Sequence, residues 1–335
     1  MWGWMYRPPR HCLKIGSQDL AWAEVSRNWR GRRRYRSAVT GLSDGTIRLS
    51  PLEPNVLNPG EFQERIRTLA GTAQAARWTP RAFAPGMSRA VTLILPDLAV
   101  RLAVLQLQEL PPTHQEREAV IRWRLGQEQL LSLTGARVFF QVVSTSVLSG
   151  ERRYTILAVV AQEVVLEQYE TMCEEAGLLP QQVEVASLAL FNMWVRTAGG
   201  LDRIKSDFLW VNIADGGFTA FIFHKRELVF IRTKPQGIGV HDQENAEGVQ
   251  SPWVEKVIEE CAASLYACQQ HHPGLAVTNL ILVGDGARHV GFRDKLERDL
   301  GLSVKELSWE DVRHSGVEST GTSSVAALPA MAGVV

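Results

Sequence analysis

Two glycine-rich turns carry the chemistry that this sequence offers. Asp215, Gly216 and Gly217 interrupt two apolar strands, one opening at Leu209 and one running from Phe218 to Phe223. Gly284, Asp285 and Gly286 join a buried strand, Leu280 to Val283, to a helix that ends at Leu300. Turns of this kind aim consecutive backbone N–H groups at one point, and glycine lets an anion approach them closely. A phosphate is the ligand for that geometry. A plain tight hairpin is the other reading of the first turn, and a strand-to-helix glycine turn alone is a weak nucleoside signal. No Ser/His/Asp or Cys/His set can be assembled, because Ser187 and Ser264 have no base beside them in sequence. His271 and His272 precede Pro273 and Gly274 and read as a solvated loop, not as metal ligands.

The elements that must position these turns form a repeated pattern. Leu209 to Thr233 reads as strand, turn, strand, turn, strand, and Cys12 to Leu42 reads the same way, so the chain contains two β-meanders. Between them lie a helix over Glu61 to Ala75, strands at Val91 to Leu95 and Val100 to Leu107, and a helix announced by Pro111 and Pro112. Thr113 and Glu116 make a capping box at its start. Strands at Val138 to Val147 and Arg153 to Val160, a helix over Gln162 to Ala176 closed by Gly177, and a helix over Ser187 to Arg196 complete the first half. After a polar linker, Gly237 to Gln250, a long helix from Pro252 to Gln270 carries an apolar face of Val254, Val257, Ile258, Cys261, Leu265 and Cys268. The segment Ser319 to Val335 reads as a small-residue helix.

Bulk properties narrow the class. With 335 residues, 45% hydrophobic and 21% charged, the chain can bury a large core in two domains or one bilobed one. Its 36 basic residues balance 36 acidic ones, which argues against nucleic acid as a partner of the whole molecule. Four scattered cysteines make no C-x-x-C pair and fit a reduced compartment. No apolar run reaches the roughly 20 residues that span a bilayer, and a cytoplasmic location is expected. One local exception is the first hairpin tip, with six arginines from Arg27 to Arg36 around Trp29 and Tyr35. A solvated end that blunts a sheet edge is one reading; contact of Arg32, Arg33 and Arg34 with anionic head groups or an acidic partner is the second, and nucleic acid is the third.

Two meanders, each followed by helices, and a strand, Gly-Asp-Gly, helix turn near the end make the skeleton of an α/β fold of the actin-like ATPase (ribonuclease H-like) type. The chain resembles the PilM family of type IV pilus assembly proteins, relatives of FtsA. The stretches that carry this are LPDLAVRLAVLQLQELPPTHQEREAVIRWRLGQEQLL, ILAVVAQEVVLEQYETMCEEAGLLPQQVEVASLAL, WVNIADGG and LILVGDGARHVGF. The resemblance implies a duplicated core: 1–95 and 154–200 as the first half, 96–153 as an inserted subdomain, 201–314 as the second half with a reduced capping subdomain, and 315–335 as a helix. It also implies a cytoplasmic adaptor at the inner face of the inner membrane. A groove between core and insert would receive the N-terminal tail of a single-pass PilN-like protein within a pilus assembly platform. Arg122, Trp123 and Arg124 are then expected to contact that tail, and ATP to sit between the halves of the core.

The phosphate turns depart from the family's pattern. An Asp-Ile-Gly turn is usual in the first meander, and this chain has Lys14, Ile15, Gly16 and Ser17. The second meander has Asn212 where the family carries Asp, and Ala214 where it carries Gly. Both carboxylates that would hold Mg²⁺ through its waters are missing. Asp215 repels phosphate oxygens, and Lys14 in place of the metal gives no good route to phosphoryl transfer. Paired arginines of the long helix align with Ala262 and Ala263, although Glu259, Glu260 and Ser264 remain. The expectation is a pseudo-ATPase whose residual nucleotide residues are Lys14, Gly16, Ser17, Asn212, Asp215, Gly216, Gly217, Glu260, Gly284 and Gly286, with ATP and Mg²⁺ both doubtful as ligands. The competing readings are an active actin-like ATPase or sugar kinase and a type II secretion platform cytoplasmic protein.

Overall fold

The computed structural model describes residues 9–27, 33–75, 89–128, 133–148, 150–197, 206–236, 252–289, 291–308, 318–321 and 325–334. The chain divides into two compact units, one formed by 1–99, 164–199 and 308–335 and the other by 100–163 and 200–307.

Unit 1 is built on a six-stranded sheet. Its first meander is β1 (His11–Ile15), β2 (Asp19–Arg27) and β3 (Arg33–Gly41). Strands β4 (Arg89–Leu95) and β8 (Leu178–Val185) extend it on the β1 side, both parallel. Strand β14 (Glu318–Gly321) adds in parallel to β3, giving the order β14-β3-β2-β1-β4-β8. Alternation in β1 and β2 places Leu13 opposite Trp22 and Ile15 opposite Leu20, all buried. Helices α1 (Pro59–Ala75) and α3 (Glu163–Glu175) meet through Phe62 and Tyr169, whose ring centroids are 6.4 Å apart. A carboxylate begins helix α4 (Ala186–Thr197): Asp97 accepts the backbone N–H of Ser187 at 2.9 Å and also its hydroxyl, which satisfies orphan donors of the first turn.

The end of the sequence departs from expectation. Residues 318–321 form a strand and 325–327 a 3₁₀ turn, and among the described residues of this segment only Leu328–Ala332 are α-helical (α7). Ser319 and Thr320 suit a strand, and Pro329 has no N–H to give a helix interior, so the helix starts where Pro is tolerated. Among the described residues, the expected helix over 315–335 is one turn and a half long. Its residues are core: Leu328, Ala330 and Met331 are buried, and a Cβ on Gly333 would lie 2.5 Å from Sγ of Cys12.

Unit 2 contains two sheets. The second meander, β9 (Asp207–Ala214), β10 (Gly217–His224) and β11 (Glu227–Pro235), joins β12 (Val277–Val283) and β13 (Ser303–Glu306) in the order β11-β10-β9-β12-β13. Helices α5 (Pro252–His271) and α6 (Phe292–Leu300) cover it with Val254, Val257, Cys261, Phe292 and Leu296. The smaller sheet, β5-β7-β6, comprises β5 (Arg101–Leu107), β6 (Ala136–Leu148) and β7 (Glu151–Gln162). Helix α2 (His114–Glu128) packs Ile121 and Leu125 against Leu105, Val138, Ile156 and Ala158. The β6–β7 pairing reaches Gln162, with an irregularity between Val142 and Ser144, and residues 100–163 cluster with the second meander's unit. The linker Gly237 to Gln250, expected to be a shortened capping subdomain, lies outside the described residues.

Candidate functional site

The turn that ends β9 is a two-residue hairpin. Ala214 pairs with Gly217, and Asp215 (φ 56°) and Gly216 (φ 68°) both occupy the left-handed region. That is the conformation of a type I′ turn, for which Asp-Gly is a preferred sequence. The hairpin is also anchored: the carbonyl of Gly216 accepts the N–H of Gln236 at 2.8 Å.

The second glycine turn is pressed against β9, the first strand of the second meander. A Cβ on Gly284 would stand 2.2 Å from the carbonyl oxygen of Ile213 and 2.6 Å from Oδ1 of Asn212. One on Gly286 would stand 2.4 Å from Cγ2 of Ile213. Close packing on Ile213, on its backbone for Gly284 and its side chain for Gly286, therefore accounts for both glycines without any ligand. Asn212 is 2% exposed and lies beneath Gly284.

In unit 1, the turn of Lys14, Gly16 and Ser17 is closed on itself. Gly16 donates its N–H to the carbonyl of Asp19 at 2.8 Å, and Nζ of Lys14 lies 2.7 Å from Oδ1 of Asp19. The ammonium expected to stand in for a metal is thus already matched by a carboxylate from the next strand. Ser17 is half-buried. Glu260 on α5 is engaged in the same way: Lys234 donates to its Oε1 at 2.7 Å, and Nε of Arg232 is 3.2 Å from Oε2. The sequence reading missed Asp19, Arg232 and Lys234. Asp19 had a signal, since opposite charges bracket a four-residue turn; the other two meet Glu260 only through space.

Thiols contribute no nucleophile. Burial pushes the Cys12 and Cys261 thiols well up, Cys173 to about 12 and Cys268 to about 11. Among the described residues there is no cluster of three His, Cys, Asp or Glu side chains placed to hold a metal.

The residues expected to meet a partner divide by role. Trp123 on α2 is 60% exposed, and the guanidinium of Arg124 lies 5.5 Å from its ring centroid. Arg122 instead ties α2 to β6 by donating to the carbonyl of Ala136 at 3.1 Å, and it pairs with Glu118 of its own helix at 2.8 Å. Arg33 and Arg34 are exposed at the start of β3, and Arg32 lies outside the described residues. No described helix is long and apolar enough to cross a membrane.

Two meander-bearing units of mixed sheets and covering helices define an α/β actin-like ATPase fold. The chain matches a PilM-PilN type IV pilus biogenesis complex with a TM-score of 0.74 and 19% identity, over 98% of this chain and 100% of that one. At that identity the likeness is one of fold, and it makes the chain PilM-like in architecture. The ethanolamine utilization protein EutJ from Carboxydothermus hydrogenoformans also matches, with a TM-score of 0.48 and 13% identity over 98% and 90% of the two chains. So does the cytoplasmic domain of EpsL, an inner membrane component of the type II secretion system of Vibrio cholerae, at 0.46 and 10% over 96% and 93%. No family model matches the sequence, and no curated protein does.

Proposed function

We propose that this chain is a cytoplasmic adaptor of a type IV pilus inner-membrane platform, which captures the N-terminal tail of a PilN-like single-pass membrane protein and has a degenerate nucleotide site. The observation that carries the reading is the full-length match to a PilM-PilN complex. A tail laid along unit 2 has an anchor ready: Trp123 presents a large exposed ring on a helix whose other face is fixed in a core, the usual composition of a binding hot spot.

The degenerate site follows from where the phosphate-turn residues have gone. Lys14 is paired with Asp19, Glu260 with Arg232 and Lys234, and Gly284 and Gly286 are occupied by contact with the second hairpin. Neither position 14 nor position 212 carries the carboxylate that would hold hydrated Mg²⁺. The division into an inserted subdomain, a core and a reduced cap belongs to the same proposal.

Fluorescence anisotropy with a labelled tail peptide, taken from a single-span protein encoded beside this one, tests the adaptor role. Saturable binding weakened at least about tenfold by Trp123→Ala is expected. No binding with or without ATP refutes it. Calorimetry with Mg·ATP should show no heat at micromolar concentrations, and micromolar affinity would return the chain to the active ATPases.

A further inference from the structure

Strand β6 is the outer strand of the β5-β7-β6 sheet, and among the described residues no strand pairs with its other side. Sheets guard such edges with charges or proline, as β11 does with Arg232, Lys234 and Pro235. Strand β6 is unguarded: from Val138 to Leu148 its sequence, VFFQVVSTSVL, has no charged residue, no proline and no glycine. A long backbone rail of that composition is a template for another chain.

The face of this sheet turned away from α2 carries an unmet cation. Ile156, Ala158 and Val160 pack toward α2, so by alternation Arg153, Thr155, Leu157 and Val159 point the other way. On β6, Phe139 and Gln141 share that face, opposite Val159 and Leu157. The irregularity between Val142 and Ser144 then shifts the alternation, so that Ser144 stands opposite Thr155 and Ser146 opposite Arg153. Unshifted, Val143 and Thr145 would take those places. The shift thus gives a guanidinium two serine hydroxyls as neighbours on its face. Arg153 is half-buried, and its Nε and the Oγ of Ser144 are sealed from water without a hydrogen-bond partner. A cation partly withdrawn from water is costly until a carboxylate meets it.

We propose that the β6 edge takes up an extended segment of a partner protein as a fourth strand, with an acidic side chain of that segment lying over Ser146 and pairing with Arg153. An added strand runs about 5 Å beyond β6 and about 10 Å from β7. A carboxylate side chain and an arginine close that gap together across a residue as small as serine. Main-chain bonding supplies affinity, Phe139, 52% exposed, offers an apolar contact on the same face, and the charge pair fixes the register. A second copy of β6 does not supply the acid, because the strand contains no aspartate or glutamate. The inference stands on the small sheet of unit 2 and does not rest on the tail proposed above, whose anchor Trp123 belongs to α2 on the other face.

Panning the full chain against a phage-displayed library of random peptides about twelve residues long tests this. Selected peptides should alternate apolar side chains and share one aspartate or glutamate at a fixed place, and selection on Arg153→Gln should lose that acidic place. For one selected peptide, anisotropy should show binding at least about tenfold weaker to Arg153→Gln. N-methylation of one alternate set of the peptide's amides should abolish binding, and of the other set should be tolerated. Affinity for Trp123→Ala should be unaltered. Arg153 has no partner to lose, so Arg153→Gln should unfold at no lower temperature than the parent. No enrichment, enrichment without the acid, the same acid preference in both chains, or both sets of N-methyl groups acting alike overturns the proposal. A dimer of the free chain that protects the β6 amides from exchange assigns the edge to a second copy and overturns it as well.

Discussion

The ammonium of Lys14 sits 2.7 Å from Oδ1 of Asp19, with 2% of the lysine side chain exposed and 23% of the aspartate. The lysine is therefore the partner that depends on the pair, because the aspartate keeps access to water. This asymmetry separates two substitutions. Asp19→Ala withdraws the carboxylate from a buried cation and should cost about 3–5 kcal/mol in urea unfolding. Lys14→Met keeps the volume and removes the buried charge, and should cost well under half as much. Equal losses would show that the pair does not act through the buried ammonium.

Gly284 and Gly286 meet different atoms of the same residue, which makes their roles separable. Gly284→Ala drives a methyl into the Ile213 carbonyl and adds strain at φ 96°; a loss of about 3 kcal/mol is expected. Gly286→Ala collides mainly with Cγ2 of Ile213. Ile213→Ala should recover part of the second loss and none of the first, a coupling that a double-mutant cycle measures.

Asp207 fixes three segments with one carboxylate. It accepts from His224 Nδ1 at 2.8 Å, from the Lys225 N–H at 2.8 Å and from the Ala276 N–H at 2.9 Å. Burial alone would raise its pKa, but these donors outweigh burial and hold it below the ordinary 3.8. His272 is held below the ordinary 6.5, first by burial and then by His224 and His271. For both groups the unfolded chain takes the proton first. Stability is therefore complete above the ordinary value and declines as pH falls through it towards the folded one. Thermal unfolding should show a first decline starting near pH 6.5 that His272→Asn removes, and a second below about pH 4 that Asp207→Asn removes. Asp207→Asn should also cost about 1–3 kcal/mol at neutral pH.

Removing 325–335 takes Leu328, Ala330, Met331 and the Gly333 backbone away from Cys12. The Cys12 thiol is fully buried. Reaction with a thiol reagent should be negligible in the intact chain and fast in the shortened one, with Cys12→Ser as the control. Slow reaction in both would mean that the segment is not what shields the thiol.

Much of the fold was legible because it rests on local signals. Both meanders announced themselves by strand period and turn residues. The capping box at α2 forms as the spacing predicts: Thr113 Oγ1 is 2.8 Å from Glu116 Oε2, and the Glu116 N–H reaches Thr113 Oγ1 at 3.2 Å. Gly177 closes α3 with φ 79°. Of β8, only Val183 to Val185 reads as a strand in the sequence, because Pro180 and the polar Gln181, Gln182 and Glu184 mask a strand at the sheet's edge, where such residues are tolerated. The phosphate turns were legible as turns. Their occupation was not, since the partners of Lys14, Glu260 and Gly284 are set by sheet registry and helix placement, which no short window of sequence contains.

Unit 1 takes β14 and α7 from the segment 318–334, whereas every strand of unit 2 precedes residue 307. During synthesis, the whole of the second meander's sheet is therefore available to pair before the first meander's sheet has its outer strand or the plug over Cys12. Domains usually fold from the N-terminus onward. Here the half that begins first is finished last, so a nascent chain holds an open sheet edge and an uncovered core until residues 318–334 have emerged.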